Sequence, residues 1–288
     1  MGELRYDGLL FIMSLLHVII LAFVQGITEF LPVSSSAHLA LAPWLLGWED
    51  QGLTFDIALH FGTLLAVLVY FFRDWVQIIL QGLGVESGHD PELKRNRALL
   101  WLIAVGSVPI GVFGLLLKEH AETTLRNPLL IGSMLVIVGI LMAIADRSGR
   151  RQKGIEHVTL MDAVVIGVAQ ALAIVPGTSR SGITITAALF RNFERASAAR
   201  FSFLLSTPAI LGAGAKAFWD LHKAGGIPPD MRVAFGLGIL CSALTGVATI
   251  AFFLQFLRFR SLKFFIYYRI VFGIIVIALA VFLRKPGG

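Results

Sequence analysis

Six uninterrupted apolar runs stand out along the 288-residue chain, near 54–72, 99–117, 128–145, 201–219, 233–257 and 264–283. Each is roughly 18–25 residues long, enough to cross about 30 Å of hydrocarbon as a helix. Two further apolar stretches are broken by polar residues. The first, 9–46, is interrupted by Gln25, Glu29, Pro32 and Ser34-Ser35-Ser36. The second, 160–190, is interrupted by Gln170, Pro176-Gly177 and Ser179-Arg180-Ser181. Each broken stretch is too long for one helix and has a polar centre. The pattern therefore predicts helix, break and helix, entering and leaving on the same side.

Composition agrees with that pattern. The chain is 57% hydrophobic and 15% charged, where soluble domains run about 45–50% and about 25%. Its mean hydropathy is +0.81. So few charges cannot cover the surface of a soluble protein this size, and disordered chains are poor in apolar residues. The single cysteine, Cys241, excludes an intramolecular disulfide and a cysteine-based zinc site. The fold expected is an all-α polytopic membrane protein, one integral membrane domain over 1–288. It has about six transmembrane helices and two re-entrant helical hairpins. Glu3, Arg5 and Asp7 give no positive region ahead of Leu9–Ile20, so no cleaved signal is expected.

Net charge is +6. No basic stripe interleaves with aromatics on an amphipathic element, so nucleic acid is not an expected partner. Loop charges instead orient the chain. With both broken stretches re-entrant, loops 73–98, 146–157, 191–200 and 258–263 share a face and carry 14 Lys+Arg. The opposite face, with Arg5, Arg284 and Lys285 at the termini, carries 8. The positive-inside rule places the first set in the cytoplasm and both termini outside. Trp44, Trp48, Trp75 and Trp219 fall near span ends and read as an interfacial belt.

The two halves, about 9–145 and 160–283, resemble each other. Phe55, Leu59, Leu65 and Asp74 recur 146 residues later as Phe201, Leu205, Leu211 and Asp220. Gln25 and Pro32 recur as Gln170 and Pro176. The hairpins enter from opposite faces, so the repeat is inverted. Inverted repeats with broken helices place a site near the midplane, where half-helix N-termini face an anion.

Ionisable side chains in apolar segments are costly and point to function. The candidates are Glu29, His38, His60 and Arg180. Gln25 and Glu29 are four apart and share a helix face. Pro32 stops that helix, and Ser34, Ser35 and Ser36 can cap the next. In the second stretch, Pro176-Gly177 breaks the chain and Thr178 or Ser179 caps the following helix. Its free N–H groups, with Arg180 as a planar fork, suit phosphate oxygens. His60 lies on a clean span and reads as a packing residue. Gln170 reads as the structural mate of Gln25.

Together the two stretches resemble the undecaprenyl-diphosphate phosphatases of the bacitracin-resistance type. The matching residues are Gln25 to Glu29 with Pro32-Val33-Ser34-Ser35, and Pro176-Gly177-Thr178-Ser179-Arg180-Ser181-Gly182-Ile183-Thr184. The resemblance implies hydrolysis of a C55 polyprenyl diphosphate, recycling of the carrier lipid for cell-wall synthesis, and a divalent metal, Mg²⁺ or Ca²⁺. It also implies a bacterial inner-membrane location with an outward-opening site. Gln25 stands where many members carry Glu.

Ser35 is the nucleophile candidate, with Glu29 or His38 accepting its proton. Metal-bound water is the alternative nucleophile. Gln25 and Glu29 are the candidate metal ligands through oxygen. Arg180 would stabilise transition-state charge, and Ser34, Ser36, Gly177, Thr178, Ser179, Ser181 and Thr184 would bind the diphosphate. Phosphatases with a histidine nucleophile need His six residues after Ser-Arg, where Thr186 stands. The partners expected are the polyprenyl diphosphate, membrane lipids and a second copy in a homodimer. The rival class is a lipid or anion transporter, or flippase, on the same inverted-repeat architecture.

Overall fold

The computed structural model describes residues 15–49, 51–86, 88–116, 125, 127–148, 151–223 and 226–282. Residues 9–14 of the first broken stretch and the basic terminal residues Arg5, Arg284 and Lys285 lie outside these.

The first broken stretch forms α1 (Leu15–Thr28) and α2 (Ser35–Leu46), with the break between them. Then come α3 (Leu53–Tyr70), α4 (Phe72–Gly82), the short α5 (Pro91–Arg95), α6 (Leu99–Leu116) and α7 (Pro128–Ser148). The second broken stretch forms α8 (Leu160–Ala171), a 3-10 turn Leu172–Ile174, and α9 (Arg180–Phe190). The chain closes with α10 (Arg195–Lys223), α11 (Arg232–Phe259) and α12 (Lys263–Phe282). Among the described residues there is no named strand, only an isolated bridge between Lys153 and Phe193.

Five helices, α6, α7, α10, α11 and α12, are long and apolar enough to cross a membrane alone. The sixth crossing, α3, reaches that standard only together with α4, and the pair bends by 72° at Phe71. The chain is thus a polytopic membrane protein, and the six clean runs all become helices. Segment 73–98, expected as a loop, holds α4 and α5 instead. Buried Gln77, Ile78 and Gln81 share a face of α4, while Phe72, Val76, Ile79 and Leu83 are exposed. Length, composition and the bend mark the α3–α4 pair as a broken span or a re-entrant segment.

Packing between the halves is reciprocal. Helix α1 of the first half packs on α11 of the second, and α8 of the second packs on α6 of the first. Likewise α3 packs on α11, and α10 on α6. Lipid offers no hydrophobic drive between helices, so close approach of small residues matters. A Cβ on Gly167 would lie 2.3 Å from the Gly106 carbonyl oxygen, and one on Gly273 2.8 Å from that of Gly132.

The four basic segments do gather at one end. Arg200 donates to Asp74 (2.6 and 3.0 Å), Asp90 (2.7 Å) and Glu92 (3.5 Å). Burial would raise the Asp90 pKa, but its bond to Arg200 and that charge outweigh it and hold the carboxyl below its ordinary range. The Lys153 ammonium reaches Asp162, which closes the capping box of α8 with Thr159 and also accepts from Arg191 at 2.7 Å. Of the expected belt, Trp44 and Trp219 are exposed, whereas Trp48 stacks on His17 and Trp75 packs against the main core.

Candidate active site

Each hairpin break ends on a serine with an unusual backbone. Ser34 sits at φ 78° and Ser179 at φ 67°, both in the left-handed region that costs a non-glycine residue about 1–3 kcal/mol. Both are N-caps. Ser34 Oγ accepts from Ala37 N (3.4 Å) and Ser179 Oγ from Gly182 N (3.1 Å). Each also shares a hydrogen bond with the serine two residues on, Ser36 or Ser181, at 3.2 Å. The breaks are therefore structural twins offset by 145 residues, the offset of Gln25 from Gln170. Ser35 of the first occupies the place of Arg180 in the second, each opening its helix.

These two helix N-termini meet at Glu29, which is 8% exposed. Oε2 accepts from Ser35 Oγ at 2.6 Å and from Gln25 Nε2 at 3.1 Å. Oε1 accepts from Arg180 Nη2 at 2.9 Å, across 151 positions of sequence. A second bond crosses between the breaks, from Ser181 Oγ to the Leu31 carbonyl at 3.0 Å. Gly177, at φ 89°, lets the second break press onto α7, where an added Cβ would lie 2.4 Å from the Ile131 carbonyl oxygen.

Two expected site residues face elsewhere. His38 Nδ1 is 2.7 Å from the Ser34 carbonyl, which can only accept, so that nitrogen carries the proton. Nε2 is then the acceptor for the Tyr268 hydroxyl at 2.8 Å. The ring stacks on Tyr268 and Phe272, and neither nitrogen reaches Ser35. Thr184 bonds to the Arg180 carbonyl (2.7 Å) and to Ser202 Oγ (2.6 Å), tying α9 to α10.

Several polar atoms at the centre are buried without a hydrogen-bond partner among the described residues: Gln25 Oε1, Thr178 Oγ1 and Arg180 Nη1. Arg180 Nη1 and Thr178 Oγ1 offer N–H and O–H donors to an anion. Gln25 Oε1 beside the Glu29 carboxylate offers hard oxygen donors to a divalent cation. No group of three His, Cys, Asp or Glu gathers among the described residues. Two protein oxygens suffice where substrate phosphates complete the shell, as is usual for Mg²⁺.

Two residues join the site that the sequence motifs do not contain. His60 Nε2 lies 3.5 Å from Glu29 Oε2, with Nδ1 held by the Asp56 carbonyl at 2.8 Å. Arg269 of α12 reaches both breaks. Its only sequence signal is a lone charge inside the clean run 264–283.

Fold and site together define a polytopic membrane protein with buried, unpartnered N–H and O–H donors between two hairpin breaks and a hydroxyl held against a buried carboxylate among the described residues. The chain belongs to the bacitracin resistance protein BacA family, whose profile matches residues 18–275. It is 46% identical over 267 residues to an undecaprenyl-diphosphatase of Moorella thermoacetica, covering 92% of this chain and 98% of that protein. A protein of the same name from Pelotomaculum thermopropionicum is 44% identical over 268 residues, covering 93% and 97%. Another, from Saccharophagus degradans, is 46% identical over 270 residues, covering 94% and 100%.

Proposed function

We propose that this chain hydrolyses undecaprenyl diphosphate to undecaprenyl phosphate and inorganic phosphate. That reaction recycles the carrier lipid of cell-wall synthesis and confers resistance to bacitracin. Family membership and relatives named undecaprenyl-diphosphatase support the reading. The observation that carries it is the Ser35–Glu29–Arg180 chain, 2.6 Å and 2.9 Å long, built from both breaks.

Ser35 Oγ attacks the terminal phosphorus and its proton passes to Glu29 Oε2. Undecaprenyl phosphate leaves, and water then hydrolyses the phosphoserine, returning the proton and releasing phosphate. The 2.6 Å contact lies at the short end of nucleophile–base distances. Glu29 rather than His38 takes the proton, since both His38 nitrogens are engaged with Ser34 and Tyr268. Arg180 turns Nη1 to the phosphate oxygens and stabilises charge as it builds. Thr178 and the N-cap serines, with Ser36 and Ser181, line the same anion site. Gln25 and Glu29 would hold the divalent cation, Mg²⁺ or Ca²⁺, which when bound neutralises charge on the diphosphate oxygens.

The protein sits in the bacterial inner membrane. Three crossings per half carry the chain to the opposite face, so the halves run inverted. The cluster around Arg200 is cytoplasmic, both termini are periplasmic, and the site opens towards the periplasm. The test is phosphate release from a C55 diphosphate by purified protein, with and without EDTA. EDTA-sensitive release is expected. Lipid movement without any phosphate release would overturn the reading in favour of transport.

A further inference from the structure

Two arginine side chains reach the hairpin breaks. The two are Arg180 and Arg269, and a cation at membrane depth costs about 2.5–3.5 kcal/mol on insertion scales. Arg180 offsets that cost by pairing with Glu29. Arg269 is fully buried and meets no carboxylate among the described residues. All five of its N–H donors are nonetheless used. Nε donates to the Leu135 carbonyl of α7 at 3.0 Å. Nη1 donates to the Pro32 carbonyl at 3.1 Å and Met142 Sδ at 3.3 Å. Nη2 donates to the Gly177 and Thr178 carbonyls, each at 3.0 Å.

Pro32 lies two residues before the N-cap Ser34, and Thr178 immediately before the N-cap Ser179. One guanidinium therefore grips the chain just ahead of both strained serines. Carbonyls leave its positive charge unneutralised, and a guanidinium cannot shed its proton. We propose that Arg269 is a positioning residue for the reaction. It holds the two breaks in the register that brings Ser35 and Arg180 to one phosphorus, and its charge adds to the hold on the diphosphate. The inference rests on the hydrolase reading above.

Lysine keeps the charge but has three donors on a point, not five in a plane. Methionine keeps length and loses both. The experiment measures kcat and KM of purified Arg269→Lys and Arg269→Met on a polyprenyl diphosphate, normalised to folded protein by thermal melting. Arg269→Lys should lose at least about tenfold in kcat, since small misplacements of reacting groups are expensive, with KM within about threefold. Arg269→Met should lose as much kcat and raise KM at least about tenfold, the equivalent of about 1.4 kcal/mol of lost binding. Gly182→Ala is an independent probe, because its Cβ would come within 2.6 Å of Arg269 Nη1 and displace the guanidinium without removing it. It should reproduce the lysine pattern. Wild-type kcat in folded Arg269→Lys and Gly182→Ala would overturn the inference, as would loss of folded protein with unchanged kcat and KM. If Arg269→Met fails to fold, the other two variants decide. Failure of the hydrolase reading looks different: the wild type itself would release no phosphate.

Discussion

Glu29 is the residue on which the site turns. It receives a hydroxyl, an amide and a guanidinium, and its neighbour Gln25 can ligate but cannot take a proton at neutral pH. Glu29→Gln should cut turnover by at least about 10²-fold, the lower end of general acid–base contributions. Gln25→Glu should be tolerated and shift the Mg²⁺ or Ca²⁺ titration to lower concentration. A metal titration of both variants checks the pair, and a dead Gln25→Glu would contradict the division of roles. Arg180→Ala should abolish activity with normal insertion, and Lys should rescue poorly because a point charge cannot replace the fork. Glu29 and Arg180 were legible in the sequence because each stands in a broken, polar-centred stretch. Arg269 was not, and His60 was singled out as ionisable but read as packing, since one polar residue in a clean run has no local pattern and the residues it meets are distant in sequence. His38 shows the opposite limit. Its nearness to Ser35 along the chain suggested a base, but its ring turns to Tyr268 and Phe272.

At the scale of elements, two strained N-caps aim two helix N-termini at one point. Break chemistry was readable from Pro32, Pro176-Gly177 and the serines, and the capping boundaries follow from it. What could not be read was how closely the second break packs on α7. Gly177→Ala should lower both stability and turnover, since its φ of 89° and the 2.4 Å approach to Ile131 each disfavour a side chain. Thermal melting beside a kinetic assay measures both, and an unchanged melting temperature would contradict the close packing. The bend of 72° at Phe71 also escaped the sequence, because α4 is amphipathic and its segment scans as a charged loop. The Arg200 cluster anchors that end. Arg200→Ala should lower the melting temperature, because the half-buried Asp74 and Asp90 carboxylates lose their partner, while leaving the kcat of folded protein near wild type.

In the whole molecule, the packing of each half on the other is the same contact made twice, α1 on α11 and α8 on α6. With the halves inverted, loop charge is the basis for the proposal that the basic loops face the cytoplasm. In a Cys241→Ser background, a cysteine at Gln152 should resist an impermeant thiol reagent in intact cells, and one at Glu49 should react. The reverse pattern would invert the orientation drawn from loop charge. The spans were readable from the segment pattern, since long apolar runs follow from composition, whereas the orientation is the proposal that these cysteines test. The convergence of the breaks was not readable, since it depends on helix packing. In the mechanism we propose, that convergence brings a hydroxyl of the first half and a guanidinium of the second to one phosphorus. Its most direct test is the stereochemical course at the terminal phosphorus of a chirally labelled thiophosphate substrate. Attack by Ser35 followed by water is two in-line displacements, each inverting. Net retention is expected, and net inversion would show that water attacks directly and Ser35 is not the nucleophile.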